Sequence, residues 1–212
     1  MTAAFFIPVA LILAAYLLGS LSGSLLLGKL RGVDIRTQGS GNAGGTNAFR
    51  TQGAKFALGV VAIDIGKGAL AAWLGLRFAD GGNAAWLPYA TAFAAALGHV
   101  WPLWHGFRGG KGAATVVGGV LVLWPAAVPL LLAVWLGVLV LTGYVGLSTM
   151  LAGISIAALA LAKHAEQPRL VFAVAAALLL LFTHRANLAR LFAGTESRFE
   201  KARLLHRLAR RG

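Results

Sequence analysis

Residues 113–162 read AATVVGGVLVLWPAAVPLLLAVWLGVLVLTGYVGLSTMLAGISIAALALA, an unbroken run without a charged side chain. As helix, at about 1.5 Å per residue, the run would be ~75 Å long, whereas the bilayer core is ~30 Å thick. One crossing cannot use it up. Breaks are expected near Trp124-Pro125 and near Gly143-Tyr144-Val145-Gly146, which divide the run into three spans of about 16 residues, close to the lower limit for a crossing. The whole chain agrees with this reading. Of its 212 residues 58% are hydrophobic and 12% charged, against roughly 25% charged in soluble domains. Lipid must therefore cover much of its surface.

Working outward, apolar stretches at Phe5–Gly28, Phe56–Leu76, Ala84–Trp104 and Leu170–Thr183 are the other candidate spans. No Lys or Arg precedes Lys29, so the first stretch lacks the basic start of a secretory signal and is read as a retained helix. Nineteen Lys and Arg oppose six Asp and Glu, a net charge of +13. The excess is clustered at Lys29–Lys55, at Arg108 and Lys111, and in a tail that carries Arg185, Arg190, Arg198, Lys201, Arg203, Arg207, Arg210 and Arg211. In a membrane protein such clusters mark cytoplasmic loops and contact with anionic head groups rather than nucleic acid.

Parity then sets the count. With all three basic segments inside, residues 113–162 must start inside and end outside, an odd number of crossings. Three give an all-α bundle of seven spans, N-terminus outside and C-terminus cytoplasmic. One crossing plus a re-entrant segment gives five, the alternative. Residues 1–212 form a single integral membrane domain with no internal repeat. Cysteine is absent, which excludes disulfides, thiolate metal sites and a cysteine nucleophile.

Three polar motifs fall on the basic side. In the first, Ser40-Gly41-Asn42-Ala43-Gly44-Gly45-Thr46-Asn47 leads to Arg50. Its glycines free backbone N–H groups to converge on an anion, and Arg50 adds a forked cation suited to phosphate. In the second, His99-Val100-Trp101-Pro102 precedes Arg108-Gly109-Gly110-Lys111-Gly112. A glycine turn that feeds a helix N-terminus is an anion site, with Lys111 supplying charge. It is not a Walker A loop, which needs Ser or Thr directly after the Lys; Gly112 stands there. The third holds His184 and Asn187 on one helix face, then Arg190, Gly194 and Glu196. Taken alone, the three also fit a flexible loop, a basic turn and a snorkelling helix end. Asp64 and Lys67, three apart inside the second span, read as a mutual pair, the sharper alternative being that they orient Arg50 or another loop cation. His99 reads as a bonded interior residue, and the six Trp as interface anchors.

Together and in this order, the motifs resemble those of the bacterial membrane-bound glycerol-3-phosphate acyltransferases that use acyl phosphate, the PlsY family. The resemblance covers nearly the whole chain. Gly45 stands where that family usually has Ala, Leu21-Ser22 where Ile-Pro is common, and Trp101 where Phe is frequent. The resemblance implies transfer of a fatty acyl group from acyl phosphate to sn-glycerol 3-phosphate, giving 1-acylglycerol 3-phosphate and phosphate in phospholipid synthesis. It implies no metal or other cofactor, an inner-membrane location with a cytoplasmic active site, and an acyl-phosphate-forming enzyme as partner. Ser40, Arg50, Lys111, His184 and Asn187 are expected to take part in catalysis. Gly41, Asn42, Gly44, Thr46, Asn47, Gly109, Gly110, Gly112 and Glu196 are expected to bind substrate. The rival is a transporter for a phosphorylated solute, which would place its polar residues near the midplane and show repeat symmetry.

Overall fold

The computed structural model describes residues 3–200, with side chains from Phe6 onward. The tail positions Lys201, Arg203, Arg207, Arg210 and Arg211 lie outside the described residues. Among the described residues there are ten α-helices and no strand: α1 (Ala3–Gly19), α2 (Gly23–Leu30), α3 (Gly45–Gln52), α4 (Ala54–Arg77), α5 (Leu87–Val100), α6 (Ala113–Leu123), α7 (Val128–Thr142), α8 (Val145–Ala162), α9 (Gln167–Thr183) and α10 (Arg185–Phe192). The chain folds as two compact units, dividing after Pro125.

The charge-free run does split into three helices, α6, α7 and α8. The first break is at Trp124, whose non-helical backbone (φ −153°, ψ 63°) leads into a 3-10 turn at Pro125–Ala127. The second is at Gly143, which ends α7 in the left-handed conformation (φ 78°), where a residue lacking Cβ is favoured.

The number of crossings is less uniform than the expected seven. Three helices are long and apolar enough to span: Ala54–Arg77, Pro125–Thr142 and Val145–Ala162. Two bent pairs, α1 with α2 at 47° and α9 with α10 at 56°, are long and apolar enough for one more span each if each pair is a single broken span. The expected third span shortens to α5, and α6 has eleven residues, so these helices are only about 21 and 17 Å long.

The expected first span, Phe5–Gly28, is thus not one helix. The bend at Gly19–Ser22 forms although Leu21-Ser22 replaces a proline dipeptide. Close packing and buried polar partners, described below, hold it instead.

In the first unit, α4 is the centre and packs against α1, α2, α3, α5 and α6. Small residues allow the closest crossings. A Cβ on Gly68 would overlap the Thr115 carbonyl oxygen, and one on Gly118 would overlap that of Ile65, so α4 and α6 touch backbone to backbone. Gly68→Ala is expected to force the two helices apart and to cost about 1–3 kcal/mol. Thermal unfolding of the detergent-solubilised variant reads this directly, and an unchanged midpoint would contradict the packing. In the second unit α8 packs between α7 and α9. One tryptophan departs from the interface role: Trp135 lies inside α7 and donates its indole N–H to Thr149 Oγ1 on α8 (3.2 Å).

Candidate active site

The first motif is a loop shaped from inside by one amide. Asn47, on the first turn of α3, is 1% exposed. Its Nδ2 donates to the carbonyls of Ile35 (2.9 Å) and Gln38 (3.0 Å), and its Oδ1 accepts from the Ser40 N–H (2.9 Å). Both amide N–H donors are thereby used within the loop. The side chain expected to bind substrate instead fixes the loop's shape. Gly39, at φ +56°, lies so close to Oδ1 that a Cβ there would overlap it. With the interior filled this way, Ser40, Thr46 and Arg50 are exposed and Asn42 and Gly44 half-buried.

The loop is also tied to the first helix pair. Ser24 Oγ donates to the Ala43 carbonyl (2.9 Å), and Ser22 Oγ lies 3.2 Å from Ser24 Oγ. Ser20, Ser22 and Ser24 are fully buried. Ser20 Oγ accepts the Leu103 N–H (3.2 Å) from the second motif's loop. These serines lie outside the three motifs. The run Gly19-Ser20-Leu21-Ser22-Gly23-Ser24 inside an apolar stretch was the available signal.

In the second motif the glycine turn does not act as the expected cradle. The Gly109 N–H donates to the Val100 carbonyl (3.2 Å) and the Gly110 N–H to that of His99 (3.1 Å). Both amides are committed to closing the turn on the end of α5. A Cβ on Gly109 would overlap the His99 carbonyl oxygen, and one on Gly110 would overlap His99 Nε2, so the glycines serve close packing. Gly112 caps α6 in the left-handed conformation (φ 86°). By helix geometry it is the amides of the next turn, from Ala113 to Thr115, that have no partner within α6. The half-buried Lys111 side chain stands at that end. In the same turn Thr115 Oγ1 is buried without a hydrogen-bond partner.

Arg36 joins the two loops. Its Nη1 donates to the carbonyls of His105 and Arg108 (both 3.3 Å), while Nε and Nη2 grip the Asp34 carboxylate at 2.7–3.1 Å. Hydrogen bonds from the Arg36 side chain hold the Asp34 carboxyl below the usual range. Burial, with the nearby Arg36 charge, keeps His105 below its ordinary pKa. Because the folded pKa of Asp34 is depressed, the latch contributes fully above the ordinary carboxylate pKa of about 4 and weakens only as pH falls through the lower folded value. Exchange protection of the Arg36 amide, which donates to Asp34 Oδ1 (2.9 Å), is expected to hold at pH 5 and to be lost in Asp34→Ala at every pH.

Beneath the loops lies a buried polar cluster. Lys67 Nζ sits 3.0 Å from Asp64 Oδ1, 2.8 Å from His99 Nδ1, and donates to the Gly19 and Leu21 carbonyls (2.8 Å each). Asp64 Oδ1 accepts the Gly23 N–H (3.1 Å). A helix break leaves backbone groups unpaired; here a carboxylate takes the N–H and an ammonium takes the carbonyls. Asp64 and Lys67 are therefore the expected mutual pair. The pair also contacts His99 and the backbone of the α1–α2 break.

The third motif is assembled within the second unit. His184, 5% exposed, has Nδ1 2.8 Å from the Leu180 carbonyl. Only an N–H bonds a carbonyl, so Nδ1 carries a proton. Glu196 is held between two residues of α10: Asn187 Nδ2 donates to Oε1 (2.6 Å) and Arg190 Nε to Oε2 (2.7 Å). Its carboxylate orders the segment after α10, together with the bond from the Thr195 N–H to the Arg190 carbonyl (2.8 Å). As a twice-bonded anion it suits that task better than contact with phosphate.

Long apolar spans, broken helices and two bonded cationic loops define an all-helical integral membrane protein with an anion-suited polar end. A family described as Glycerol-3-phosphate acyltransferase matches residues 9–194. A glycerol-3-phosphate acyltransferase of a Synechococcus species is 40% identical over 89% of this chain and 93% of its own length, and one of Aquifex aeolicus is 36% identical over 89% and 97%. Among solved structures, PlsY, an integral membrane glycerol 3-phosphate acyltransferase, is similar in its glycerol 3-phosphate form. The TM-score is 0.85 at 35% identity, covering 91% of this chain and 95% of that one. Its lysophosphatidic acid form is similar at a TM-score of 0.82, 34% identity and coverage of 90% and 94%. The chain belongs to the glycerol-3-phosphate acyltransferase family of the PlsY type, the membrane acyltransferases of phospholipid synthesis.

Proposed function

We propose that this chain transfers a fatty acyl group from acyl phosphate to the C1 hydroxyl of sn-glycerol 3-phosphate, releasing 1-acylglycerol 3-phosphate and inorganic phosphate. The observation that carries this reading is the Arg36 bridge. It holds two loops bearing Arg50, Arg108 and Lys111 against each other, in a family whose named relatives act on glycerol 3-phosphate. Both substrates bring a phosphate, and two cationic loops suit two anions.

Acyl phosphate is already activated. The glycerol hydroxyl oxygen bonds the acyl carbon, the carbonyl passes through an oxyanion, and the bond to the phosphate oxygen breaks. The hydroxyl proton goes to the departing phosphate, so no protein base is required. Ser40, Arg50 and Lys111 hold phosphate and stabilise the growing negative charge. The backbone of Gly41, Asn42 and Gly44, with the exposed Thr46, completes the first loop's contact with substrate. Gly112 sets the start of α6 where its amides meet an anion. His184 and Asn187 position glycerol phosphate or the loop that holds it. If no protein base acts, His184→Asn keeps the wild-type pH–rate profile; loss of one limb would make His184 the base.

The frame is an odd number of crossings in the bacterial inner membrane, N-terminus outside, with both loops at the cytoplasmic face. Counting the short α5 and α6 gives seven, and one crossing plus a re-entrant segment within residues 113–162 gives five with the same parity. Residues 1–212 serve as one domain. The donor arrives laterally from the bilayer, supplied by an acyl-phosphate-forming enzyme, and the product leaves into it.

Detergent-solubilised protein, given glycerol 3-phosphate with acyl phosphate, acyl-CoA or acyl carrier protein in turn, tests the reading. The expected result is 1-acylglycerol 3-phosphate with equimolar phosphate from acyl phosphate alone. Product from acyl-CoA at a comparable rate would overturn the donor assignment. No product from any donor would overturn the reaction, and transport, unlike transfer, would need a sealed membrane.

A further inference from the structure

We propose that His99 is a positioning residue that sets the Gly109–Gly110 turn, and through it the placement of Lys111 and the start of α6. His99 opens the second motif at the end of α5, is 3% exposed, and stands ten residues before the glycine turn. Three contacts tie it to the turn. Its carbonyl accepts the Gly110 N–H (3.1 Å), the same oxygen blocks any Cβ on Gly109, and its Nε2 blocks any Cβ on Gly110. The imidazole itself is fixed from the other side, with Nδ1 2.8 Å from Lys67 Nζ, so that Nε2 is turned toward Gly110. The charged groups facing the ring are Lys67 and Asp64 (Oδ1 to Nδ1 3.3 Å), both on α4.

The same buried cluster reaches the other loop. Asp64 holds the Gly23 N–H, and Ser24 next to it holds the Ala43 carbonyl of the first motif. One cluster thus fixes the register of both loops, with His99 as its arm toward the second. His99 is also the member whose loss the fold can bear. An ammonium has three N–H donors, and Asp64, Gly19 and Leu21 provide three acceptors without it.

The inference rests on the acyl-transfer reading, and a paired readout separates the two. Initial rates give KM and kcat for both substrates. Glycerol 3-phosphate-dependent thermal stabilisation of the same preparations reports binding without transfer. His99→Asn keeps an oxygen where Nδ1 stands but nothing against Gly110; His99→Gln keeps an amide where Nε2 stands. The expected result is a rise of about tenfold or more in KM for the phosphate substrate seated on the turn in His99→Ala and His99→Asn. In His99→Gln the rise is at least about fivefold smaller, and kcat changes little throughout. The stabilisation midpoint for glycerol 3-phosphate follows if that is the phosphate seated there. Wild-type KM values in all three variants would overturn the inference. So would equal inactivity of Asn and Gln with one limb of the pH profile missing, which would make His99 a proton carrier. A wild-type protein that is stabilised but makes no product would instead overturn the acyl-transfer reading, leaving His99 to be judged by the stabilisation midpoints. Should His99→Ala fail to yield folded protein, the Asn and Gln pair alone decides.

Discussion

Lys111→Ala, purified in detergent and assayed with acyl phosphate and glycerol 3-phosphate, is expected to lose about 10²–10³ in kcat/KM while keeping its melting temperature. The estimate follows from the proposed chemistry. In acyl transfer from acyl phosphate, negative charge moves to the carbonyl oxygen and then to the departing phosphate, and one donor aimed at such charge is worth about 10²–10³ in rate. Lys111 is half-buried, on the link between the closed glycine turn and α6, where surrounding protein weakens solvent screening. Two other cations are already engaged. Arg36 spends its guanidinium on Asp34 and two carbonyls, and Arg190 pairs with Glu196. Lys111→Arg keeps the charge but exchanges a compact ammonium for a planar fork, so only part of the loss returns. Activity of the alanine variant within about tenfold of wild type, less than 1.4 kcal/mol of barrier, would remove Lys111 from the catalytic core.

Elements governed by local chemistry were legible in the sequence, and those governed by distant contacts were not. The breaks at Trp124 and Gly143 announce themselves through a proline and a glycine at φ 78°. The break at Gly19–Ser22 does not. It depends on Ala95 admitting Gly19, and on Asp64 and Lys67, over forty positions away, taking the freed backbone groups. The same holds at the candidate site. The motifs mark candidate residues for phosphate chemistry, yet Asn47 and Ser40 share the same polar run. Only the fold separates the amide turned inward to the Ile35 and Gln38 carbonyls from the hydroxyl left exposed. Arg36 looked like one more basic-loop residue because its partners, the carbonyls of His105 and Arg108, are backbone atoms, which no pattern of side chains reveals. Gly109 and Gly110 fit an anion cradle in sequence because glycine serves both amide exposure and close packing. The His99 carbonyl, by accepting the Gly110 N–H, decides for packing.

The second large effect falls on stability. Lys67→Met is expected to destabilise the folded protein by about 3–5 kcal/mol, because it leaves a buried carboxylate without its counter-charge. Asp64 is 1% exposed and would retain the Gly23 N–H as a donor, while the Gly19 and Leu21 carbonyls would lose theirs. In a membrane interior neither water nor a surface rearrangement relieves such groups cheaply. The cost has two parts that a second substitution separates. Asp64→Asn removes the stranded charge and keeps an oxygen that the Gly23 N–H can reach. Asp64→Asn/Lys67→Met should therefore recover about half of the loss, the unpaired carbonyls accounting for about 1–3 kcal/mol of what remains. Thermal unfolding of the two variants and wild type in one detergent measures both parts. A double variant no more stable than Lys67→Met would mean that the orphaned carbonyls, not the charge, dominate. The pair's main task would then be to hold the α1–α2 break open rather than to balance charge.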